Sequence, residues 1–127
     1  MSRVKGRDTK PEMVVRRLLH AMGFRYRLHA KDLPGKPDIV FRGRRLAIFV
    51  NGCFWHRHPG PECRLARLPK SRLDFWIPKL EANRRRDVEN IERLEALGWR
   101  VLLVWECELR DSEQLGNTLR RFIEGET

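Results

Sequence analysis

The sequence predicts a single α/β domain, residues 1–127, in which a mixed central sheet lies between layers of helices. Its length of 127 residues suits one hydrophobic core. Segments with helical and strand periodicity follow in the order helix, strands, helix, strand, helix. The continuous apolar run 101–105 is typical of a strand covered on both faces. These observations predict a three-layer arrangement.

Three segments have the spacing and end signals of helices. Thr9-Lys10-Pro11-Glu12 has the form of a capping box, and the apolar stripe after it predicts a helix over residues 10–22. Residues 78–97 have helical spacing, with Pro78 at the start and Gly98 just past the end. A last helix is predicted over 112–124.

The strands are predicted between the first two helices and after the second. Residues 24–28 alternate with period two, and residues 33–37 are rich in Pro and Gly, as in turns. Two apolar runs, 39–41 and 46–50, flank the basic turn 42–45. Two or three paired strands are therefore expected here.

The charge balance predicts a polyanionic partner. Lys and Arg total 27 against 17 acidic residues, for a net charge of +10, and 21 of the 27 are Arg, whose planar group binds phosphate oxygens in pairs. A basic, soluble surface with no nucleic-acid role is the alternative. No apolar run approaches the ~20 residues that span a bilayer, and no signal-peptide core follows Met1. We therefore expect a cytoplasmic protein without a membrane partner.

The cysteines predict a zinc site. Cys53, His58 and Cys63 are separated by four residues each, and Cys107, after the apolar run, could supply a fourth ligand. A closed site of this kind would be structural and would use every cysteine of the chain. Two alternatives remain: the cysteines are ordinary core residues, or His56 is a ligand in place of His58.

A second group of residues could carry phosphodiester chemistry. Asp38, at the mouth of a predicted strand, could bind Mg²⁺ with other coordination positions open to water and phosphate. Many nucleases pair such an aspartate with Glu-x-Lys on the next strand, but the corresponding stretch 49–51 has neither residue. His56 titrates near neutral pH and could activate water or protonate a leaving oxygen. Without such neighbours, a lone Asp before a strand is more often a turn or cap residue.

Several motifs together resemble one known family. They occur in order and with matching spacing over nearly the whole chain: Lys5–Glu12, Leu33–Asp38, Phe49–His56, Phe75-Trp76 and Gly98–Cys107. The chain resembles the very short patch repair endonucleases, usually called Vsr. This resemblance implies a restriction-endonuclease-like fold with a structural zinc, and Mg²⁺-dependent cleavage of duplex DNA. The implied substrate is a T:G mismatch left by deamination of 5-methylcytosine, nicked 5′ of the thymine.

The resemblance also implies roles for particular residues. Asp38 would bind Mg²⁺ together with the main-chain carbonyl of Val50, and His56 would handle the attacking water. Glu12 would assist at the same centre, although it also fits the capping box. The implied zinc ligands coincide with the four indicated by the spacing: Cys53, His58, Cys63 and Cys107.

Contacts to DNA are implied in the same way. Three aromatic side chains would enter the duplex beside the mismatch: Phe54, Trp55 and Trp76. Unstacking costs less where pairing is already defective, which gives discrimination a physical source. Lys79 and Asn83, one helical turn apart, are candidates for contacting the mismatch edges. Core packing is the alternative for each aromatic, and it is the one expected for Trp99 and Trp105.

The sequence departs from the family pattern at two places. Asn51 stands where the family commonly has His, and an amide can hydrogen-bond but cannot titrate. Family members also usually have a further short N-terminal segment that embraces DNA, before the position of Met1. Its absence is expected to weaken binding more than chemistry.

Three functions are compatible with these residues. The favoured one is a mismatch-nicking endonuclease, expected to be a monomer that binds T:G duplex DNA, with other mismatch-repair proteins as candidate partners. The second is a zinc-stabilised DNA-binding module whose nuclease activity is lost or altered, and the third is a restriction-type nuclease of the same fold.

Overall fold

A computed structural model describes residues 9–53 and 71–125. The elements follow in chain order: α1 Lys10–Ala21, β1 Arg27–Leu28, β2 Ile39–Phe41, β3 Leu46–Asn51, α2 Leu73–Ala96, β4 Arg100–Trp105, a short 3-10 helix Glu106–Arg110 and α3 Ser112–Glu124. This order confirms the predicted α/β class. Within the described residues, no helix combines the length and the apolar character needed to cross a membrane.

The four strands form one sheet in the order β1-β2-β3-β4. β1 pairs with β2, and β2 with β3, in antiparallel fashion, whereas β3 and β4 are parallel. The basic turn 42–45 joins β2 and β3 as a hairpin, and α2 lies in the long connection that a parallel pair requires. The predicted mixed sheet is therefore confirmed.

Alternate residues of the strands face two different helical layers. Ile48 of β3 belongs to the cluster that contains Val15 of α1 and Leu119 of α3. Its neighbour Ala47 belongs to a second cluster with Leu94 of α2. Since successive strand residues point to opposite faces, the sheet lies between α1 and α3 on one side and α2 on the other. This is the predicted three-layer arrangement.

Two details of the predicted elements were wrong. α2 begins at Leu73 rather than at residue 78, because the amides of Phe75 and Trp76 bond to the carbonyl of Arg72 and place Pro78 inside the helix. The preference of proline for a helix start is a tendency, and it located this start five residues too late. β4 was expected to be covered on both faces, but Val104 is its one buried residue. The sheet order explains this exposure, because β4 lies at an edge of the described sheet.

The connection from β1 to β2 packs closely against the rest of the domain. Gly35 has φ +75°, and a Cβ atom added there would lie 2.9 Å from the Cβ of Asn90 and 3.1 Å from the Cζ of Phe49. Glycine meets both the conformation and the close approach, since it has no Cβ. This contact fixes the loop that leads into Asp38.

Candidate active site

The side chain of Asp38 is bound to the end of β3. The main-chain N–H of Val50 donates a 2.8 Å hydrogen bond to Oδ2 of Asp38. Asp38 directly precedes β2, and Val50 lies next to the last residue of β3, so the antiparallel pairing brings them to the same edge of the sheet. This bond fixes the orientation of a half-buried carboxyl group.

The carbonyl of Val50 faces the same side as its N–H. In an antiparallel pair, both backbone groups of a residue point to the same neighbouring strand. Strand geometry therefore directs the Val50 carbonyl toward the side on which Asp38 lies, and carboxylate and carbonyl oxygens are ligands of the kind that Mg²⁺ prefers.

Glu12 is buried beside this edge. The hydroxyl of Thr9 accepts a 3.4 Å hydrogen bond from the Glu12 amide, which is the first half of the predicted capping box. The Glu12 carboxylate, whose side chain is 2% exposed, contacts Nε2 of His29 at 2.8 Å and Nη1 of Arg16 at 3.4 Å. The main-chain N–H of Glu12 therefore takes part in capping α1, while its carboxyl group contacts His29.

His29 was not identified from the sequence. It directly follows β1, and its N–H donates a 2.9 Å hydrogen bond to the carbonyl of Asp38. Its φ of 48° is left-handed, a conformation that costs an L-residue about 1–2 kcal/mol. The one available signal was its position just after the alternating segment 24–28. Its partner Glu12 lies 17 residues earlier, and only the packing of α1 beside the sheet brings the two together.

Asn51 is the last residue of β3 and is 5% exposed. The alternation along β3 directs its side chain to the α2 face of the sheet, the opposite face from Val50. Among the described residues, no buried side-chain nitrogen or oxygen lacks a hydrogen-bond partner. Asn51 therefore occupies a buried, polar position next to the Asp38–Val50 contact.

Two of the predicted zinc ligands lie at the same edge. Asn51 and Trp105 are register partners, and Cys53 and Cys107 each follow them by two residues. Cys53 is fully buried, and Cys107 is half-buried in the 3-10 helix. The other two predicted zinc ligands, His58 and Cys63, lie outside the described residues. Within residues 9–53 and 71–125, no three His, Cys, Asp or Glu side chains are grouped as a metal site.

The start of α2 presents aromatic and basic side chains. The rings of Phe75 and Trp76 meet edge to face with centroids 5.1 Å apart. Arg72 lies 4.8 Å and Lys79 5.1 Å from the centroid of Phe75, which is 42% exposed. Trp76 is half-buried, and Asn83, one turn beyond Lys79, is half-buried as well. The predicted wedge residues Phe54 and Trp55, like the predicted catalytic His56, fall outside the described residues.

The comparisons with known proteins agree with this arrangement. Residues 1–68 match the family DNA mismatch endonuclease Vsr. The chain belongs to this family. It is 56% identical to the Type II nicking enzyme V.XorIIP of Xanthomonas oryzae pv. oryzae over 98% of the chain and 89% of that protein. It is 44% identical to the DNA mismatch endonuclease Vsr of Escherichia coli K12 over 91% of the chain and 72% of that protein. This Vsr-family chain is therefore an endonuclease.

A solved structure supports the fold of this Vsr-family chain. The catalytic domain of the homing endonuclease I-Bth0305I superposes with a TM-score of 0.63 and 22% identity, covering 94% of this chain and 98% of that one. The shared architecture is restriction-endonuclease-like, as the resemblance implied.

One other concave surface of this Vsr-family chain lies away from the Asp38 edge. It is an open cleft of about 670 Å³ whose lining is aromatic and basic: His20, Phe24, Arg25, Tyr26, Arg27, Val40, Phe41, Arg42 and Gly43. The lining includes none of the predicted catalytic residues. The carboxylates, rather than this cleft, define the candidate active site.

An exposed ion pair near the cleft provides a contrast to Asp38. Arg42 donates two hydrogen bonds to Asp32, at 2.6 and 3.0 Å. These bonds lower the pKa of Asp32. Asp32 lies in this exposed ion pair and takes no part in the contacts described for Asp38, Val50 and Glu12, so it is not assigned to the candidate site.

Proposed function

We propose that this protein is a Mg²⁺-dependent, strand-specific mismatch endonuclease that nicks duplex DNA 5′ of the thymine in a T:G mismatch. Such mismatches arise when 5-methylcytosine is deaminated. The observation that carries the proposal is the 2.8 Å hydrogen bond from the Val50 N–H to Oδ2 of Asp38, which orients this carboxylate at the end of β3. The name of the Escherichia coli relative, DNA mismatch endonuclease Vsr, supports the choice of a mismatch as substrate.

The residues at this edge fit a magnesium ion. Mg²⁺ is commonly bound by one or two carboxylates together with waters and substrate phosphate. Asp38 and the Val50 carbonyl would bind it, and when bound it would supply positive charge beside the scissile phosphate. The chain itself contributes the orientation of the Asp38 carboxylate, through the hydrogen bond that the Val50 N–H donates to it.

The proposed roles of the other residues follow from their chemistry. His56 would accept the proton of the attacking water, since imidazole titrates near neutral pH. Asn51, which cannot titrate, would hydrogen-bond a phosphate oxygen. Glu12 would present its second carboxyl oxygen to the same centre.

A structural zinc is proposed at the same end of the sheet. The aligned positions of Cys53 and Cys107, each two residues past a register pair, support two of its ligands. His58 and Cys63 would complete the site. Four protein ligands leave no open coordination position, so this ion would stabilise the fold and take no part in the reaction.

DNA recognition is proposed for the start of α2 with the aromatic residues before it. Phe54, Trp55 and Trp76 would form the wedge. The exposed fraction of Phe75 and its two neighbouring cations support contact with an anionic, stacked ligand. Lys79 and Asn83 would lie against the mismatch edges.

The proposal is tested by a nicking assay on matched duplexes. Purified protein is incubated with Mg²⁺ and end-labelled duplexes that differ at one position, T:G against C:G and T:A, with each strand labelled in turn. We expect one nick, 5′ of the mispaired thymine, and no product without Mg²⁺. Cleavage of both strands of the paired duplex would identify a restriction-type nuclease, and tight binding without any product would identify a DNA-binding module.

A further inference from the structure

We propose that His29 is a positioning residue for the nicking reaction. Its imidazole would fix the Glu12 carboxyl group, while its main chain holds the segment that begins at Asp38. This inference rests on the proposed function, because it assigns Glu12 and Asp38 to one catalytic centre.

The first line of support is the contact between two side chains. Nε2 of His29 lies 2.8 Å from Oε2 of Glu12, and the side chains are 16% and 2% exposed. Arg16 approaches the same Oε2 atom at 3.4 Å. A carboxyl group contacted twice at one oxygen has a fixed rotation about its last bond, so the direction of Oε1 is fixed as well. Removing the imidazole would take away the shorter of these two contacts and loosen that rotation.

The second line of support is the main chain of His29. The pairs Arg27–Val40 and Leu28–Ile39 define the β1–β2 register. The 2.9 Å bond from the N–H of His29 to the carbonyl of Asp38 continues that register by one residue beyond β1. One residue therefore connects the buried carboxylate of α1 to the main chain of the proposed metal ligand.

The third line of support is the backbone conformation of His29. Its φ of 48° is left-handed, and glycine would adopt this angle without steric cost. The local backbone therefore does not require an imidazole. The imidazole, which this backbone conformation does not require, is the group that contacts Glu12.

Three variants separate a positioning role from a structural one. His29→Gln keeps a side-chain N–H donor for the carboxylate, whereas His29→Leu has a similar size and no donor. Both variants carry the same backbone cost at φ 48°, so they are a matched pair. His29→Gly removes the side chain and relieves the backbone. The measurements are kcat and KM for nicking a T:G duplex with saturating Mg²⁺, together with the melting temperature of each variant.

We expect His29→Leu and His29→Gly to lower kcat by roughly 10- to 100-fold, the range typical of losing an outer-shell partner, with KM nearly unchanged. His29→Gln should retain most of the wild-type rate. A structural role predicts a different order, in which the nicking rates follow the melting temperatures. The His29→Gly variant would then be the most stable and the fastest, and the His29→Gln and His29→Leu variants would have equal rates. That order, or equal kcat values for all the proteins, would overturn the inference.

The outcome for the wild type distinguishes this inference from the proposed function. If wild-type protein nicks the T:G duplex and His29→Leu nicks it equally well, the inference on His29 fails alone. If wild-type protein nicks no mismatched duplex, the proposed function fails and takes this inference with it. In a second comparison, Glu12→Gln alone and combined with His29→Leu should show non-additive losses in kcat, because both substitutions interrupt one contact.

Discussion

Asp38 and Val50 are joined by a 2.8 Å hydrogen bond from the main chain of one to the side chain of the other. The bond ties the residue before β2 to the end of β3, and so it couples the orientation of a carboxylate to the hairpin itself. The main chain of β3 therefore helps to orient the carboxylate of Asp38.

Asp38→Asn should abolish Mg²⁺-dependent nicking while DNA affinity stays similar. The amide is a weaker ligand for a hard cation, whereas the arginines supply the salt-dependent attraction to DNA. The loss should exceed the roughly 10- to 100-fold range of an outer-shell residue. Single-turnover nicking and equilibrium binding measure the two effects. Asp32→Asn is the matched control, because Asp32 contacts Arg42 at the surface, and it should nick normally.

Asn51→His should change the pH dependence of nicking. Wild-type nicking should follow mainly the ionisation of His56, since an amide does not titrate. The variant should nick faster or show a second ionisation near pH 6–7, the range of an unperturbed imidazole. The measurement is a pH–rate profile of both proteins. If the variant nicks a mismatched duplex and the wild type does not, the natural chain has lost its nuclease activity.

Trp76→Ala should weaken binding to a T:G duplex more than binding to a paired duplex. Stacking with an opened base contributes about 1–3 kcal/mol and is available only where pairing is defective. Fluorescence anisotropy with both duplexes measures the difference. Ile77→Ala is the control, because Ile77 is 43% exposed on the same turn and has no ring to stack. An equal loss on the two duplexes would assign Trp76 to the core.

Gly35→Ala should destabilise the protein by at least about 1–2 kcal/mol, because the residue would adopt a left-handed φ and its Cβ would crowd Asn90 and Phe49. Gly43→Ala should have little effect, since a Cβ there meets nothing within 4 Å. Urea unfolding of the two variants measures both free energies. Similar midpoints for the two would contradict the close packing of this loop.

Cys107→Ala should lose bound zinc and much of the folded structure. Structural zinc binding contributes on the order of 10 kcal/mol in small metal-dependent domains. Native mass spectrometry of protein purified without chelators should find about one zinc in the wild type and none in the variant. A wild-type protein with no zinc would refute the proposed site.

The sequence predicted those parts of the fold that depend on neighbouring residues. α1 and α3 were located by their apolar stripes and caps, and the β2–β3 hairpin by two apolar runs around a basic turn. The edge position of β4 was missed, because strand order depends on pairing between segments rather than on local pattern. The same limit applies to the site: Asp38 stands out beside its turn, whereas the contact between Glu12 and His29 exists only after α1 has packed.

The register of the sheet also implies an order of assembly. Asp38 and Val50 are 12 positions apart on one hairpin, whereas every pair between β3 and β4 joins residues 54 positions apart, as 46 and 100 are. Closing a longer loop costs more entropy, so local pairing precedes distant pairing. During synthesis, the hydrogen bond between Val50 and Asp38 can therefore form before the ribosome has released β4. Cys107 joins later, and with it the proposed zinc site, so the nascent chain orients the proposed magnesium ligand before it can bind the ion that would stabilise the fold.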